Sequence, residues 1–308
     1  MTDPVLRIGT RGSALALAQS GAVGARLVEN GRGEVDLVRV KTEGDINTGP
    51  LAAIGGTGVF VTAVRTALLD GRVDVIVHSF KDLPTAPAPG LALAAVPERE
   101  SPFDALCARD GLTLASLPNG ARIGTGSPRR VAQILLHRPD LVVVPVRGNV
   151  DTRLRMVSSS ELDAVVLAVA GLTRLGRTGE ITEVFGPDIM LPAPAQGALA
   201  VECRDADVNT AWFAGALESL DQPAARAAAA AERSLLATLE AGCIAPVGAY
   251  ATVVDGSLRL RGAVIAVDGS ESIAGESSGP VDDAAAVGKD LAAELLSRGA
   301  TVLLGAAR

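Results

Sequence analysis

Aromatic residues are scarce in this chain of 308 residues, where they account for only 2% of the sequence. That is too few for the stacking platforms with which proteins hold single-stranded nucleic acid. Basic residues are not in excess either, since the formal net charge is −7 and a field of that sign repels nucleic acid and anionic membranes. No apolar run approaches the roughly 18 residues that a membrane span requires. We therefore expect no nucleic-acid partner and no membrane partner.

Cysteine is also rare, with only Cys107, Cys203 and Cys243. Three thiols cannot all pair with one another, and none stands in a CxxC motif, which predicts a reducing compartment without a structural disulfide or zinc site. The N-terminus carries no secretory signal pattern, so we expect a cytoplasmic protein. The two histidines, His78 and His137, are far apart in the sequence, and no metal site is predicted. A P-loop and a glycine-rich dinucleotide turn are missing as well, which counts against a phosphate-ester enzyme.

What remains is the composition of a globular protein, with 48% hydrophobic and 20% charged residues and a length typical of two or three domains. Strand-like and helix-like segments alternate through about residue 205, which favours α/β domains with mainly parallel sheets covered on both faces. The predicted strands are Val5–Thr10, Val35–Val40, Asp74–Phe80, Leu91–Val96, Arg122–Gly126, Leu141–Arg147, Ala164–Val169 and Ala198–Cys203, and the predicted helices include Ser13–Asn30, Val59–Gly71, Pro128–His137 and Val150–Ser158.

The pattern changes after residue 205. Residues 224–240 form an alanine-rich helix, and a pair of alternating segments, Val247–Val254 and Leu258–Val267, follows with Asp255-Gly256 as a hairpin turn between them. A last helix is predicted over Asp282–Arg298. Residues 222–308 are therefore expected to form a separate α+β domain.

A short sequence repeat occurs once in each of the two α/β regions. Arg7-Ile-Gly-Thr10 and Arg122-Ile-Gly-Thr125 each lead through a small-residue turn and a serine into a helix. Four identical residues leave chance as an alternative explanation. If this repeat reflects related structures, two similar domains present helix N-termini toward a shared anion-binding cleft.

Arginines fall where such a cleft needs them, at the carboxyl ends of predicted strands. Each one taken alone could equally be a surface or salt-bridging arginine. Together they favour a ligand that carries several carboxylates or phosphates, because crowded like charges repel without one. The residues concerned are Arg11, Arg129, Arg130, Arg147, Arg153 and Arg174.

Lys81 and Asp82 follow a buried strand directly. A surface ion pair is the simpler interpretation, but their place at a strand end makes Asp82 a candidate for proton transfer or cation stabilisation. His78 is expected to be a buried histidine with a satisfied partner. Residues 41–58 form a glycine-rich connection that is either a lid or a plain loop. Phe60, just beyond it, is expected in the core.

Cys243 stands on a Gly/Pro loop after the alanine-rich helix, whereas Cys107 and Cys203 lie in apolar strands and are expected to be buried. A thiol just past a helix C-terminus gains nothing from the helix dipole, which disfavours a redox role for Cys243. A covalent attachment point is the remaining functional interpretation.

Several segments together resemble the porphobilinogen deaminase family, whose members are also called hydroxymethylbilane synthases, over essentially the whole chain. The segments that carry this resemblance are Arg7-Ile-Gly-Thr-Arg-Gly-Ser13, His78-Ser-Phe-Lys-Asp-Leu-Pro84, Gly124-Thr-Gly-Ser-Pro-Arg-Arg130, Arg147-Gly-Asn149, Thr152-Arg-Leu154, Leu191-Pro-Ala-Pro-Ala-Gln-Gly197 and Gly242-Cys243.

The resemblance implies two periplasmic-binding-protein-like (type II) α/β domains around a cleft, plus a smaller C-terminal α+β domain. These would comprise residues 1–98 with 198–218, residues 103–193, and residues 222–308. It also implies one dipyrromethane cofactor per chain, bound through a thioether to Cys243. Such an enzyme deaminates porphobilinogen, its substrate, and joins four pyrroles head to tail into hydroxymethylbilane, an early step of haem biosynthesis. We expect a monomer.

The resemblance also implies roles for individual residues. Asp82 would be catalytic, holding pyrrole N–H groups and stabilising the cationic azafulvene left by the loss of ammonia. The cofactor would be bound by Cys243, Lys81, Asp82, Ser79, Thr125, Ser127, Arg129, Arg130 and Gly148, and the substrate by Arg11, Ser13, Gln19, Phe60, Arg147, Arg153, Arg174 and Gln196.

The chain departs from the family pattern at a few positions. Ser101-Pro102-Phe103 stands where Asp-Pro-Arg is usual, in a segment expected to link the first two domains. Ala53 and Thr57 occupy lid positions that are lysines in some relatives, and Gly126 replaces a usual serine. None of these changes affects Asp82 or Cys243.

One alternative comes from a different class, a non-catalytic protein whose two domains bind a polycarboxylate. It explains the arginines but leaves Lys81, Asp82 and Cys243 without a role.

Overall fold

The computed structural model describes residues 4–29, 33–41, 58–241 and 245–305. The strands of these residues are β1 Val5–Thr10, β2 Glu34–Arg39, β3 Val75–Ser79, β4 Leu91–Ala95, β5 Asp104–Ala108, β6 Arg122–Gly124, β7 Val142–Val144, β8 Ala164–Ala168, β9 Glu183–Val184, β10 Leu199–Arg204, β11 Val247–Val254, β12 Ser257–Ile265 and β13 Ser272–Pro280. The helices are α1 Ala14–Leu27, α2 Gly58–Leu69, α3 Pro128–His137, α4 Val150–Ser158, α5 Val169–Arg174, α6 Ala214–Leu220, α7 Pro223–Thr238, α8 Ala284–Ser297 and α9 Ala300–Gly305.

The predicted alternation of strands and helices is confirmed, and α3, α4 and β11 have the predicted bounds. The apolar pattern does not predict β9, which is two residues long, or β13, whose sequence is rich in serine and glycine. Such residues have low strand propensity, so β13 exists because it pairs with β12 along its whole length.

Two of the sheets repeat a single topology. The first sheet has the order β2-β1-β3-β10-β4 and the second has the order β7-β6-β8-β5-β9. In each, the first three strands run parallel and the next two pairs are antiparallel. Strand β6 thus occupies in the second sheet the position that β1 occupies in the first. The internal sequence repeat therefore lies at equivalent positions of two similar α/β folds.

Both sheets are mixed, so the prediction of mainly parallel sheets was wrong for half of the strand pairs. Strand β10 enters the first sheet from a distant part of the chain and runs against both β3 and β4. In the second sheet, strand β5 likewise runs antiparallel to both of its neighbours, β8 and β9. A buried strand is apolar whichever way it runs, so the hydrophobic pattern carries no information about its direction.

Close packing explains why the repeated motif contains glycine. A Cβ on Gly9 in β1 would lie 2.8 Å from a methyl group of Ile76, and a Cβ on Gly124 in β6 would lie 2.5 Å from Leu162. Any larger residue would push these neighbours out of a well-packed core.

The third sheet is an antiparallel meander of β11, β12 and β13. Asp255 and Gly256 have φ values of 49° and 74°, which is the backbone that a tight hairpin turn requires. Helices α7, α8 and α9 contribute to the core of this sheet, where Leu235, Leu260 and Leu291 are fully buried. The predicted C-terminal hairpin and its two helices are thereby confirmed, as is the fold class of two similar α/β folds with a smaller α+β fold.

Contacts divide the chain into two compact units. The first unit is Met1–Arg99 with Ala198–Arg226 and holds the first sheet, whereas the second unit is Glu100–Gly197 with Ala227–Arg308 and holds the other two sheets. The division into three domains and the ligand cleft remain predictions.

Within the described residues no helix combines the length and the apolar character needed to cross a membrane.

Candidate active site

The parallel strands β1 and β3 end at the same edge of the first sheet, and predicted site residues follow both of them. Arg11 and Ser13 lie in the turn before α1, where the Ser13 hydroxyl caps the helix by accepting from the Ala16 N–H at 3.2 Å. Lys81 and Asp82 lie in a 3-10 turn directly after β3. Because Asp82 is exposed, its carboxylate is accessible to a ligand.

A buried amide orients the last residue of β3. Gln19 is 5% exposed, and its Nε2 donates to the Ser79 hydroxyl at 3.0 Å. This bond ties α1 to the end of β3, so both predicted residues are held at the sheet edge that carries Lys81 and Asp82.

The His78 side chain lies against a buried carboxylate. Its side chain is 8% exposed, and its Nε2 lies 3.3 Å from Oε2 of Glu202. Arg65 on α2 forms two hydrogen bonds to the same carboxylate, at 2.9 and 2.6 Å. Burial by itself would raise the pKa of Glu202, but the hydrogen bonds from His78 and Arg65 lower it to about 2.

The second sheet presents an equivalent edge, where β6, β7 and β8 run parallel. Thr125 follows β6 and is buried, and its hydroxyl accepts from the Ser127 N–H at 3.2 Å at the start of α3. Arg147 and Gly148 follow β7, and Arg174 ends the short helix α5 that follows β8. The second unit thus gathers predicted residues from three consecutive strand ends.

Arg129 and Arg130 open α3 but point into the protein, where they meet Asp104 at the start of β5. The Asp104 side chain is 0% exposed and lies 2.8 Å from Nη1 of Arg129 and 2.7 Å from Nη2 of Arg130. The two guanidinium groups also donate to main-chain carbonyls, Arg129 to Leu191 at 2.7 Å and Arg130 to Val166 at 2.8 Å. Both arginines are therefore locked in place.

Asp104 is a functional candidate that the sequence analysis did not single out. Burial alone would raise its pKa, yet the charges of Arg129 and Arg130 hold that pKa well below the ordinary value. Burial also lowers the pKa of Arg129, and the like charge of Arg130 adds to this effect. The one signal in the sequence is an aspartate at the head of an otherwise apolar strand.

A third arginine adds positive charge to this group. Burial, together with the neighbouring charges of Arg130 and Arg147, lowers the pKa of Arg153 to about 10. Its Nε donates to the Gly148 carbonyl at 3.0 Å, which is a neutral acceptor. The cluster thus holds cations that repel one another.

Arg174 and Gln196 meet the loop that precedes β10. Nη2 of Arg174 donates to the Gly197 carbonyl at 2.7 Å, and burial lowers the pKa of Arg174. The Gln196 side chain is buried and its Nε2 donates to Asp104 at 2.9 Å and to the Pro102 carbonyl at 2.7 Å. The arginine cluster of the second unit thus comprises Arg129, Arg130, Arg147, Arg153 and Arg174, and it extends from α3 to this loop.

A ligand with several carboxylates fits the cluster on two grounds. The mutual repulsion of Arg130, Arg147 and Arg153 is relieved by anions. In addition, Nε of Arg129 is a buried donor that has no acceptor among the described residues. An anion suits both features, because it offsets the repelling charges and also accepts from the Nε–H group.

Some predicted residues lie outside the described part of the chain. These are Cys243, the lid positions Ala53 and Thr57, and the side chain of Phe60. Cys107 and Cys203 are buried in β5 and β10, as predicted. Burial raises the pKa of Cys107 to about 12 and that of Cys203 to about 11, so neither thiol ionises at neutral pH.

Two models of a known protein family match this chain. Residues 6–211 match the family model described as porphobilinogen deaminase, dipyromethane cofactor binding domain, and residues 227–297 match the model of the porphobilinogen deaminase C-terminal domain. The chain belongs to the porphobilinogen deaminase family. This family carries a dipyrromethane cofactor and has hydroxymethylbilane synthase activity, so the resemblance seen in the sequence is confirmed.

Three members of the porphobilinogen deaminase family are more than half identical to this chain. Porphobilinogen deaminase 1 of Streptomyces coelicolor is 53% identical over 99% of both chains. The porphobilinogen deaminase of Thermobifida fusca is 53% identical over 97% of this chain and 96% of its own, and that of Corynebacterium diphtheriae is 53% identical over 97% and 99%.

Solved structures resemble the chain more distantly. A periplasmic substrate-binding protein from Coxiella burnetii overlaps 74% of this chain and 96% of its own with a TM-score of 0.45 and 16% identity. The protein PG110 of Staphylococcus aureus overlaps 74% and 91% with a TM-score of 0.44 and 13% identity. The alternative of a non-catalytic binding protein is not favoured, because both family models are those of porphobilinogen deaminase.

Two departures from the porphobilinogen deaminase pattern have a local structural reason. The Phe103 ring packs against Tyr250 of β11 with the ring centroids 5.3 Å apart, so the aromatic residue gains apolar contact. At Gly126 an added Cβ would lie 2.7 Å from the Val146 carbonyl oxygen. The local backbone therefore has no space for the usual serine.

Proposed function

We propose that this chain deaminates porphobilinogen and joins four molecules of it head to tail on a covalently bound dipyrromethane, releasing hydroxymethylbilane and ammonia. The match of residues 6–211 and 227–297 to the two porphobilinogen deaminase models is the observation that carries this proposal. The second unit adds physical support through its cluster of mutually repelling arginines.

The cofactor is proposed to be attached by a thioether to Cys243. Elimination among the three cysteines supports this position, because the thiols of Cys107 and Cys203 are buried in strands and have raised pKa values. The cofactor would supply the terminal pyrrole on which the product chain grows. Residues proposed to hold it are Ser79, Lys81, Asp82, Thr125, Ser127, Arg129, Arg130 and Gly148.

The basic side chains are proposed to bind the acetate and propionate groups of the pyrroles. Arginine is suited to this role because its planar guanidinium group holds a carboxylate through two parallel hydrogen bonds. The buried Nε of Arg129 provides one such donor. The proposed substrate-binding residues are Arg11, Ser13, Gln19, Phe60, Arg147, Arg153, Arg174 and Gln196.

Asp82 is proposed as the catalytic residue. Its carboxylate is exposed on a turn that β3 positions, and Lys81 precedes it on that turn. A carboxylate there accepts hydrogen bonds from pyrrole N–H groups and stabilises the positive charge that develops when the substrate loses ammonia. Loss of ammonia leaves a cationic substrate, so the reaction requires of the protein a group that orients the substrate and balances its charge.

The remaining proposals concern the state of the protein in the cell. We propose a cytoplasmic monomer, a location supported by the free thiols of Cys107 and Cys203. The three-domain division is proposed with the bounds given above, supported by the presence of three separate sheets.

Intact mass measurement of the purified chain tests the function, with Cys243→Ser as the matched control. A mass one dipyrromethane above the sequence value, absent from the control, is the expected result. If the wild-type mass is unmodified, porphobilinogen is added and the protein is weighed again. A chain that still gains no mass and produces no hydroxymethylbilane contradicts the proposal.

A further inference from the structure

The loop of residues 191–197 contacts two arginines of the cluster directly and a third through Asp104. Its Leu191 carbonyl accepts from Arg129 at 2.7 Å, and its Gly197 carbonyl accepts from Arg174 at 2.7 Å. Its Gln196 reaches Arg130 indirectly, because both side chains donate to Oδ1 of Asp104. The conformation of one short loop therefore contributes to the placement of these three cations.

The backbone of this loop adopts a conformation that its sequence does not favour. Ala195 has a φ of 61°, in the left-handed region that residues with a Cβ rarely occupy. Gly197, two residues on, has a φ of 88° and packs against the Glu100 carbonyl so closely that a Cβ would lie 2.3 Å from it. Gln196 lies between these two positions, so its direction depends on something that holds Ala195 in place.

A buried carboxylate on α7 provides that contact. Oε2 of Glu232 accepts from the Ala195 N–H at 2.6 Å, and Oε1 accepts from the Ala251 N–H of β11 at 2.8 Å. Glu232 is fully buried, so both bonds are made away from water, where a lost partner is expensive. Helix α7 is also the element that precedes Cys243 in the sequence.

We infer that Glu232 is a positioning residue for the arginine cluster. Its carboxylate fixes Ala195 in the left-handed conformation, which aims Gln196 at Asp104 and keeps the Leu191 and Gly197 carbonyls on their arginines. This inference rests on the proposed function, since it treats the cluster as the site for the carboxylates of cofactor and substrate.

The test compares Glu232→Gln with Ser234→Ala and the wild-type chain. In glutamine one of the two acceptor oxygens is replaced by an NH2 group, which faces a backbone N–H donor, so one of the two hydrogen bonds is lost. Ser234 lies on the same helix and donates to the Ala285 carbonyl at 2.6 Å, so its removal costs a helix contact without touching the loop. Thermal unfolding identifies variants that are merely destabilised.

Two readouts separate positioning from general stability. We expect the KM for porphobilinogen to rise about tenfold in Glu232→Gln with kcat changed by less than about twofold, because arginines that bind substrate and transition state alike affect KM. The intact mass spectrum should show an unmodified fraction that is absent from Ser234→Ala. Unchanged KM and full loading in a folded Glu232→Gln protein would overturn the inference.

A double-mutant cycle with Gln196→Ala tests the route of the effect. If Glu232 acts through Gln196, the double variant has the same KM as Gln196→Ala alone, whereas additive effects show that it does not. Should Glu232→Gln fail to fold, Glu232→Asp withdraws the carboxylate by one methylene and is judged by the same criteria. A wild-type chain that carries no cofactor and has no activity refutes the proposed function instead.

Discussion

Replacing Asp104 by asparagine removes the one carboxylate between two buried arginines. Asp104 is 0% exposed and lies 2.8 Å from Nη1 of Arg129 and 2.7 Å from Nη2 of Arg130. The asparagine oxygen can keep the bonds that Oδ1 accepts from Arg130 and Gln196. Its amide nitrogen then faces Arg129, donor against donor, and Arg129 is itself only 3% exposed. A buried cation loses its carboxylate partner.

The magnitude follows from that burial. Removing one partner of a buried ion pair lowers the free energy of unfolding by about 3–5 kcal/mol. Because Asp104→Asn keeps the hydrogen bonds to Arg130, we expect a loss near the lower end of this range. With a urea slope of roughly 2 kcal/mol per molar, a loss of about 3 kcal/mol lowers the unfolding midpoint by about 1.5 M. Urea unfolding followed by circular dichroism measures this shift.

Asp188→Asn is the matched control, because the Asp188 carboxylate also lies 2.8 Å from an arginine, Arg261, but is 83% exposed. A surface pair of this kind contributes at most about 1 kcal/mol, so its midpoint should move by less than about 0.5 M. Equal shifts in the two variants would refute the reasoning from burial. So would a shift below about 0.5 M in Asp104→Asn at an unchanged slope.

Three further predictions follow from the site. Asp82→Asn should still load the cofactor but turn over very slowly, and near-normal turnover in a steady-state assay would contradict a catalytic Asp82. The pKa of Glu202 is lowered from 4.5 to about 2, so its stabilisation is present above pH 4.5 and is lost as the pH falls toward 2. Acid unfolding of Glu202→Gln should therefore vary less over that range than the wild type, and parallel curves would refute the coupling. Because burial raises the pKa of Cys107 and Cys203 to about 12 and about 11, iodoacetamide at pH 8 should label Cys243→Ser only after denaturation, and labelling of the native protein would contradict this.

The arginine pair shows how far the sequence predicts the site. Arg129 and Arg130 follow a serine and a proline at the start of a helix, a local pattern that places them at a strand end without any structure. Their partner Asp104 belongs to β5, which lies beside β8 only because of the strand order of the second sheet. Such a pairing depends on topology, so the sequence indicates the cations but not the carboxylate that binds them.

The left-handed Ala195 shows the same limit for the backbone. Glycine or asparagine would have signalled that conformation, and alanine does not. The residue that compensates is Glu232, more than thirty positions along the chain and on a different element. Nothing in the local sequence connects the two.

The sequence by itself determined the longer helices, the predicted strands, the hairpin at Asp255-Gly256 and the family, and it indicated two related α/β folds. These properties depend on apolar periodicity, turn residues and motif order, all of which are local along the chain. Tertiary structure alone decided that β5 and β10 run antiparallel, that Asp104 pairs with Arg129 and Arg130, and that Glu232 holds Ala195. Each of these depends on which distant segments pack together, because burial is what makes a charge require a partner and a strained backbone require an anchor.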